Sequence, residues 1–261
     1  MFQWSICVIK LKTKNWAIDN IETILFDKDG TFIDLHYFWG KMTELRANAV
    51  IDCFNLDKNL FSKLCLYLGY NLSTGKMLKD GITALYSRPK IIDIFCENLK
   101  ECGVLTTHQR IEQIFDEVNV RFYSEMSKYT KPIKGAVDFI KKMHSLGIKN
   151  GIVTSDSKES TMLTLEHFGW KSLFEVVIGR ESTPEHKESG VPAKMALETL
   201  KANPKTTIMI GDAPMDYLAA KNAGVEKTIL VATGQIDADS LLKTSLYVVE
   251  SLSDIEISPS V

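Results

Sequence analysis

Cysteine is scarce and poorly spaced for cross-linking: five residues, Cys7, Cys53, Cys65, Cys96 and Cys102, with no CxxC pair. An odd number at wide spacing excludes a disulfide framework, so these are expected to be buried, reduced thiols in a protein of the reducing cytoplasm. An excess of charge of either sign is missing too. The formal net charge is −2, which removes nucleic acid and anionic membrane as expected partners. No apolar run reaches the roughly 18 residues that a membrane span requires. The opening stretch MFQWSICVIKLKTK is interrupted by Gln3, closed by Lys10 and Lys12, and lacks a small-residue cleavage site, so no secretion signal is expected. Internal repeats and low-complexity segments are absent as well.

What is present is an ordinary globular balance, 45% hydrophobic and 25% charged over 261 residues, enough for one large domain or a core carrying a smaller one. Five short apolar runs are each followed by a polar turn: ETILFDKDGT, KNGIVTSDS, FEVVIGRES, TTIMIGDAP and EKTILVATG, with a weaker sixth in SLYVVE. They are nearly continuous in Ile and Val, as strands buried on both faces are. Helical patterns separate most of them: Gly135 to Leu146, Ser157 to Phe168, Pro192 to Lys201 and Met215 to Asn222. Alternating strand and helix predicts an α/β fold with a doubly wound, mostly parallel, Rossmann-like sheet.

Between about Leu35 and Lys128 the rhythm changes to helical periodicity alone. Ile111, Ile114, Phe115, Val118 and Phe122 follow Thr107 as an N-cap, and Pro89 opens a helix with Ile91, Phe95 and Leu99 on one face. The expected organisation is therefore a core of residues 1–34 and 129–261 with an all-helical domain, residues 35–128, inserted after the first core strand. Residues 1–20 are expected either to add an edge strand or to pack on the insert.

Ligands of open parallel sheets bind beyond the carboxyl ends of the strands. In this sequence those ends carry Asp27, Lys28, Asp29, Gly30 and Thr31; then Thr154 and Ser155; then Gly211, Asp212 and Asp216. A lysine-containing loop, TPEHKESGVP, lies before the helix that begins near Pro192. Converging carboxylates repel one another unless a cation neutralises them, so Asp27, Asp29 and Asp212 point to a divalent ion. Oxygen ligands without His or Cys favour magnesium. A hydroxyl and a lysine beside them suit a phosphoryl group. Each tetrapeptide alone is an ordinary turn. A calcium loop is excluded, since Phe32 and Phe38 stand where that pattern needs Gly and Glu.

On LFDKDGT, IVTS and MIGDAPMD, the chain resembles the haloacid dehalogenase superfamily of phosphohydrolases, in particular its phosphoglycolate phosphatase-like branch, over residues 21–34 and 129–235. The third family motif departs from its KPxP form, with Lys187 at the lysine position, Glu188 in place of proline, and Lys194 as a competitor. The resemblance implies a magnesium-dependent phosphatase for a small phosphorylated metabolite. Asp27 would be the nucleophile that becomes an aspartyl-phosphate, and Asp29 the general acid and base. Thr154, Ser155 and Lys187 would bind the phosphoryl group, and Asp216 would orient Lys187 or a metal-bound water. Magnesium would be held by Asp27, Asp212 and the backbone carbonyl of Asp29. The inserted helical domain would act as a cap that selects the leaving group, and the protein would be a monomer or homodimer.

Aspartate at position 29 favours hydrolysis over the family's ATPases and dehalogenases. A phosphomutase of the same fold stays open, as do a phosphometabolite binder without turnover and a receiver-like signalling protein. In the insert, Asp34, His36 and Trp39 are candidates for facing the cleft, against plain packing for the aromatic run Tyr37, Phe38 and Trp39. Arg88 is a candidate for a substrate carboxylate, against an exposed surface arginine. Phosphoglycolate, a sugar phosphate and a nucleotide all remain as substrates.

Overall fold

The structure is a computed structural model and describes residues 8–260; Cys7 lies outside that range. The chain begins with two antiparallel strands, β1 (Ile9–Lys12) and β2 (Ala17–Ile21), and then enters β3 (Thr23–Phe26), every residue of which is buried. From Leu35 to Lys131 the chain forms a unit of its own. It comprises α1 (Leu35–Phe54), α2 (Phe61–Tyr67), the two-residue strands β4 (Tyr70–Asn71) and β5 (Lys76–Met77), α3 (Ile82–Leu85), α4 (Arg88–Lys100), α5 (His108–Ser124) and α6 (Met126–Tyr129).

The expected α4 and α5 form where the pattern placed them. Pro89 sits in the first turn of α4, where its missing N–H is not needed, and Thr107 Oγ1 caps α5 by accepting from Arg110 N at 3.3 Å. Their apolar faces meet in one cluster with α1, in which Phe95 and Phe115 lie 5.8 Å apart.

Two expectations about the insert need correction. It is not all helix, because β4 and β5 pair as a small antiparallel hairpin. The turn explains why: the Asn71 side-chain oxygen accepts from Ser73 N at 3.0 Å and Thr74 N at 3.3 Å, a local bond that competes with helix. The unit also runs to Lys131 and not to Lys128, since the short α6 stacks Tyr129 on Phe122 with ring centroids 4.9 Å apart.

After Pro132 the chain adds α7 (Ala136–Ser145), β6 (Lys149–Val153), α8 (Lys158–His167), β7 (Val176–Ile178), α9 (Val191–Leu200), β8 (Thr207–Gly211), α10 (Pro214–Asn222), β9 (Lys227–Val231), α11 (Ala238–Leu241), β10 (Tyr247–Val249) and β11 (Glu256–Pro259). Six strands form one fully parallel sheet in the order β10-β9-β8-β3-β6-β7. All six apolar runs became its strands. Leu25, Val153 and Met209 pack on one face against α9 and α10, while Phe26 contacts Phe139 and Phe174 edge-on.

The segment before β3 does not join this sheet. β1 and β2 form a separate antiparallel sheet with β11, in the order β11-β1-β2. Among the described residues the cysteines are free, and Cys65 and Cys96 are buried as expected. Cys53 is exposed, with its sulfur 2.9 Å from Arg110 Nη2, so the expectation of burial fails there.

Candidate active site

β3 lies between β8 and β6, the crossover point of the sheet, and its carboxyl end carries Asp27. The Asp27 amide makes the last ladder bond, to Ile210 O at 2.8 Å. Beyond it the chain turns sharply: the Lys28 carbonyl accepts from Thr31, Phe32 and Ile33 at 3.3, 3.1 and 3.1 Å. Gly30 makes the turn with φ +87, and a Cβ there would stand 2.3 Å from Asp212 Oδ2. Gly234, after β9, approaches the same carboxylate from another side, where a Cβ would lie 1.7 Å from Oδ2. Thr233 fastens this loop by donating its hydroxyl to Gly30 O. Asp212 is thus enclosed by backbone that only glycine allows so close.

Lys187 Nζ is ion-paired with Asp27 Oδ1 and stands 2.6 Å from Asp216 Oδ1. Carboxylate oxygens of Asp27, Asp212 and Asp216 lie within 4.8 Å of one another, and all three residues are buried. Burial pushes the Asp27 carboxyl up to about 7, with Lys187 pulling down and Asp216 pushing up. Burial, then Asp27 and Asp216, drive Asp212 well above the usual carboxylate range. Lys187 moves the other way: burial opposes its charge, but Asp216 and Asp27 outweigh it and hold the ammonium above the ordinary lysine range. A pocket of clustered carboxylates without His or Cys has the chemistry for a hard divalent cation.

The loop carrying Lys187 has Glu188 where the family motif has proline, retains Pro192, and is anchored in other ways. Asn222 Nδ2 donates to Glu188 O at 2.7 Å, and Gly190 (φ +80) sits so near the end of α10 that a Cβ would meet the Asn222 carbonyl carbon at 2.5 Å. Pro192 then opens α9. Lys194, the competitor, lies exposed on that helix. Thr154, at the end of β6, is buried, and its hydroxyl accepts from Asp156 N at 3.1 Å. Ser155 is exposed, with Oγ 3.7 Å from Met215 Sδ. Thr154, Ser155, Lys187, Met215, Arg180 and His186 line a cleft of about 370 Å³.

Asp29 does not share the metal-type cluster. Its Oδ1 is 2.7 Å from Lys28 Nζ, and the same Nζ is 3.0 Å from Asp156 Oδ2. Its backbone carbonyl, the ligand atom expected of it, is unaffected by where the side chain points. Lys28 and Asp156 are buried ionic residues at these strand ends that the motif reading passed over. The available signal was a lysine between two strand-end aspartates, followed at the next strand end by an aspartate in TSDS.

The insert's candidates are engaged within their own unit. His36 Nδ1 accepts from Met77 N at 3.1 Å, and Trp39 packs edge-on against Phe38, centroids 5.4 Å apart. Arg88 is ion-paired with Asp116, and Asp34, at the edge of the core unit, is half-buried.

The family described as haloacid dehalogenase-like hydrolase matches residues 83–231. Pyrophosphatase PpaX of Halalkalibacterium halodurans is 27% identical over 186 residues, 71% of this chain and 84% of that protein. Phosphoglycolate phosphatase of Neisseria meningitidis is 27% identical over 213 residues, 80% of each chain. A crystal structure from Thermotoga maritima, named as a beta-phosphoglucomutase, superposes with a TM-score of 0.65 at 17% identity, covering 88% of this chain and 94% of that one. It shares the fold. The family match spans more than half of the sequence, and this chain belongs to the haloacid dehalogenase-like hydrolases.

Proposed function

We propose that this chain is a divalent-metal-dependent phosphatase, with magnesium as its ion, acting on a small phosphorylated metabolite through an aspartyl-phosphate on Asp27. The observation that carries the reading is the contact of the Asp27 carboxylate with the buried Lys187 ammonium at the crossover point of the sheet, next to Asp212 and Asp216. Lys187 neutralises charge at the place where an incoming phosphoryl group brings more of it. Asp216 holds that ammonium from the other side, and its Oδ2 accepts from Ala213 N at 3.0 Å, which fixes the carboxylate on the first turn of α10.

Asp27 attacks phosphorus, and the bond to the leaving oxygen breaks as the leaving group takes a proton from Asp29. Water, deprotonated by Asp29, then hydrolyses the acyl phosphate and frees Asp27. The Thr154 hydroxyl binds phosphoryl oxygens. Asp27, Asp212 and the Asp29 carbonyl would hold the divalent ion, which supplies Lewis-acid charge neutralisation and raises the fraction of Asp27 that is ionised.

The names of the relatives put pyrophosphate and phosphoglycolate first among substrates to try. The receiver-like alternative gives way to the family match. Phosphate release from a panel of metabolite phosphates, with magnesium and with chelator, tests the proposal. Magnesium-dependent release supports it. Interconversion of sugar phosphates without net release would replace it with a phosphomutase, and ligand binding without any phosphoenzyme would replace it with a binder.

A further inference from the structure

We infer that Lys28 is a positioning residue, which fixes the Asp29 carboxylate for proton transfer and locks the strand-end turn of β3 to that of β6 through Asp156. The inference rests on the proposed role of Asp29 and adds a residue to it. Lys28 has no solvent exposure, and its ammonium bridges Asp29 Oδ1 at 2.7 Å and Asp156 Oδ2 at 3.0 Å. Its carbonyl meanwhile receives the three amides of the turn that carries Asp29 and Gly30. Side chain and backbone of one residue therefore hold that turn from two directions.

Asp156 continues the connection. Its amide donates to the Thr154 hydroxyl at 3.1 Å, its Oδ1 accepts from Ser157 N at 2.7 Å, and its carbonyl accepts from Arg180 N at 2.9 Å. A single ion pair thus ties the acid-bearing turn to the turn that presents the phosphoryl-binding threonine. Lys28 thus holds the Asp29 carboxylate through its Oδ1.

A buried ion pair is a poor way to gain stability, since replacing both partners by apolar groups is often neutral or better, whereas removing one strands the other. Five buried or nearly buried carboxylates gather here (Asp27, Asp29, Asp156, Asp212 and Asp216), and Lys187 reaches only two of them. A second cation, placed between the ends of β3 and β6, does what apolar packing cannot: it sets where a carboxylate points.

The test pairs Lys28→Met with the double variant Lys28→Met/Asp156→Leu, which removes the stranded carboxylate. Single-turnover phosphoenzyme formation is compared for an alkyl phosphomonoester, whose leaving group needs a proton, and for para-nitrophenyl phosphate, whose leaving group does not. The expected result is a loss of about tenfold to hundredfold on the alkyl substrate and less than about threefold on the nitrophenyl one, because only the first uses the general acid. Equal loss on both, or loss on neither, overturns the inference. Wild-type enzyme that forms no phosphoenzyme with either compound refutes the nucleophile assignment instead. A crystal structure of the double variant then still decides the positioning claim: a displaced Asp29 carboxylate supports it, and an unmoved one overturns it.

Discussion

Among the described residues the core contains two buried lysines, each set between two aspartates, and they make an instructive pair. Lys187 spans Asp27 and Asp216; Lys28 spans Asp29 and Asp156. The local physics is the same: burial works against the charge, and two carboxylates outweigh it. What differs is how the chain delivers them. Lys28 is built into the first turn beside its partner Asp29, while Lys187 arrives on a loop 160 residues beyond Asp27 and must be anchored by Asn222 and Gly190. One lysine is placed by chain continuity and the other by tertiary packing. The first should therefore govern orientation within a turn, and the second should govern whether the pocket assembles its charge at all.

Removing the nucleophile should affect every substrate and is the strongest test. Asp27→Asn keeps the side-chain shape and should reduce turnover on the order of 10⁴-fold or more, measured as phosphate release; a variant near the wild-type rate would dismantle the whole site. Asp29→Asn should cost about 10²- to 10⁴-fold, the usual range for a general acid and base. The two lysine environments are then separated directly. Lys187→Ala is expected to lose about 10²- to 10³-fold in kcat, as removal of one transition-state charge partner does, while exposed Lys194→Ala stays within about twofold. Comparable losses at both positions would mean that burial of Lys187 carries no catalytic weight.

The smallest effect is thermodynamic. Burial holds the carboxyls of Asp27 and Asp212 above the ordinary carboxylate range, Asp27 up to about 7, so through Asp27 the native protein binds more protons than the unfolded chain between the ordinary carboxylate range and about 7. Stability from these groups is present in acid and is lost as pH rises through the folded value, by about 1.4 kcal/mol per pH unit for each group while it titrates. Asp156 is shifted the opposite way: burial raises it, Lys28 together with hydrogen bonds from Ser160 and Ser157 outweighs that, and its contribution disappears only below the ordinary carboxylate range. Between pH 5.5 and about 7 the two do not cancel. Melting curves with chelator should fall over this interval by about 3 °C per pH unit, and magnesium should raise Tm more at pH 8 than at pH 5.5. A magnesium effect that is equal at both pH values would disconnect the ion from these carboxylates.

The sheet was readable because its strands are fully buried and so spell continuous Ile and Val; each apolar run in ETILF, IMI and TILV became a strand of the parallel sheet. The hairpin at Tyr70–Met77 was not, because two-residue strands have no period, and the turn is specified by one Asn71 side chain. Lys187 could be identified only through resemblance, since no local pattern marks a lysine that becomes buried by docking on α10. Lys28 lay in plain view in DKDG, but a lysine beside two aspartates in sequence usually means a solvated turn, and only the fold reveals that it is enclosed. Residues 1–7 lie outside the described residues; for residues 8–20, the expected edge strand or packing on the insert gives way to a separate sheet for a related reason. Their alternating pattern suits any half-buried strand, and nothing local discloses that the partner of β1 lies at the far end of the chain.

That pairing has a consequence for how the protein is made. Ile9 is matched with Pro259, and Asn20 N bonds Ser260 Oγ across 240 residues. During synthesis the first strand emerges early and has only β2 as a neighbour until nearly all the remaining residues have followed. Closing so long a loop is slow, although its entropic cost grows only logarithmically with length. β11 follows every strand of the parallel sheet in the chain, so a chain broken off before Glu256 cannot complete the small sheet. Joining segments so far apart in this way makes the small sheet a clasp that exists only in chains carrying both β1 and β11.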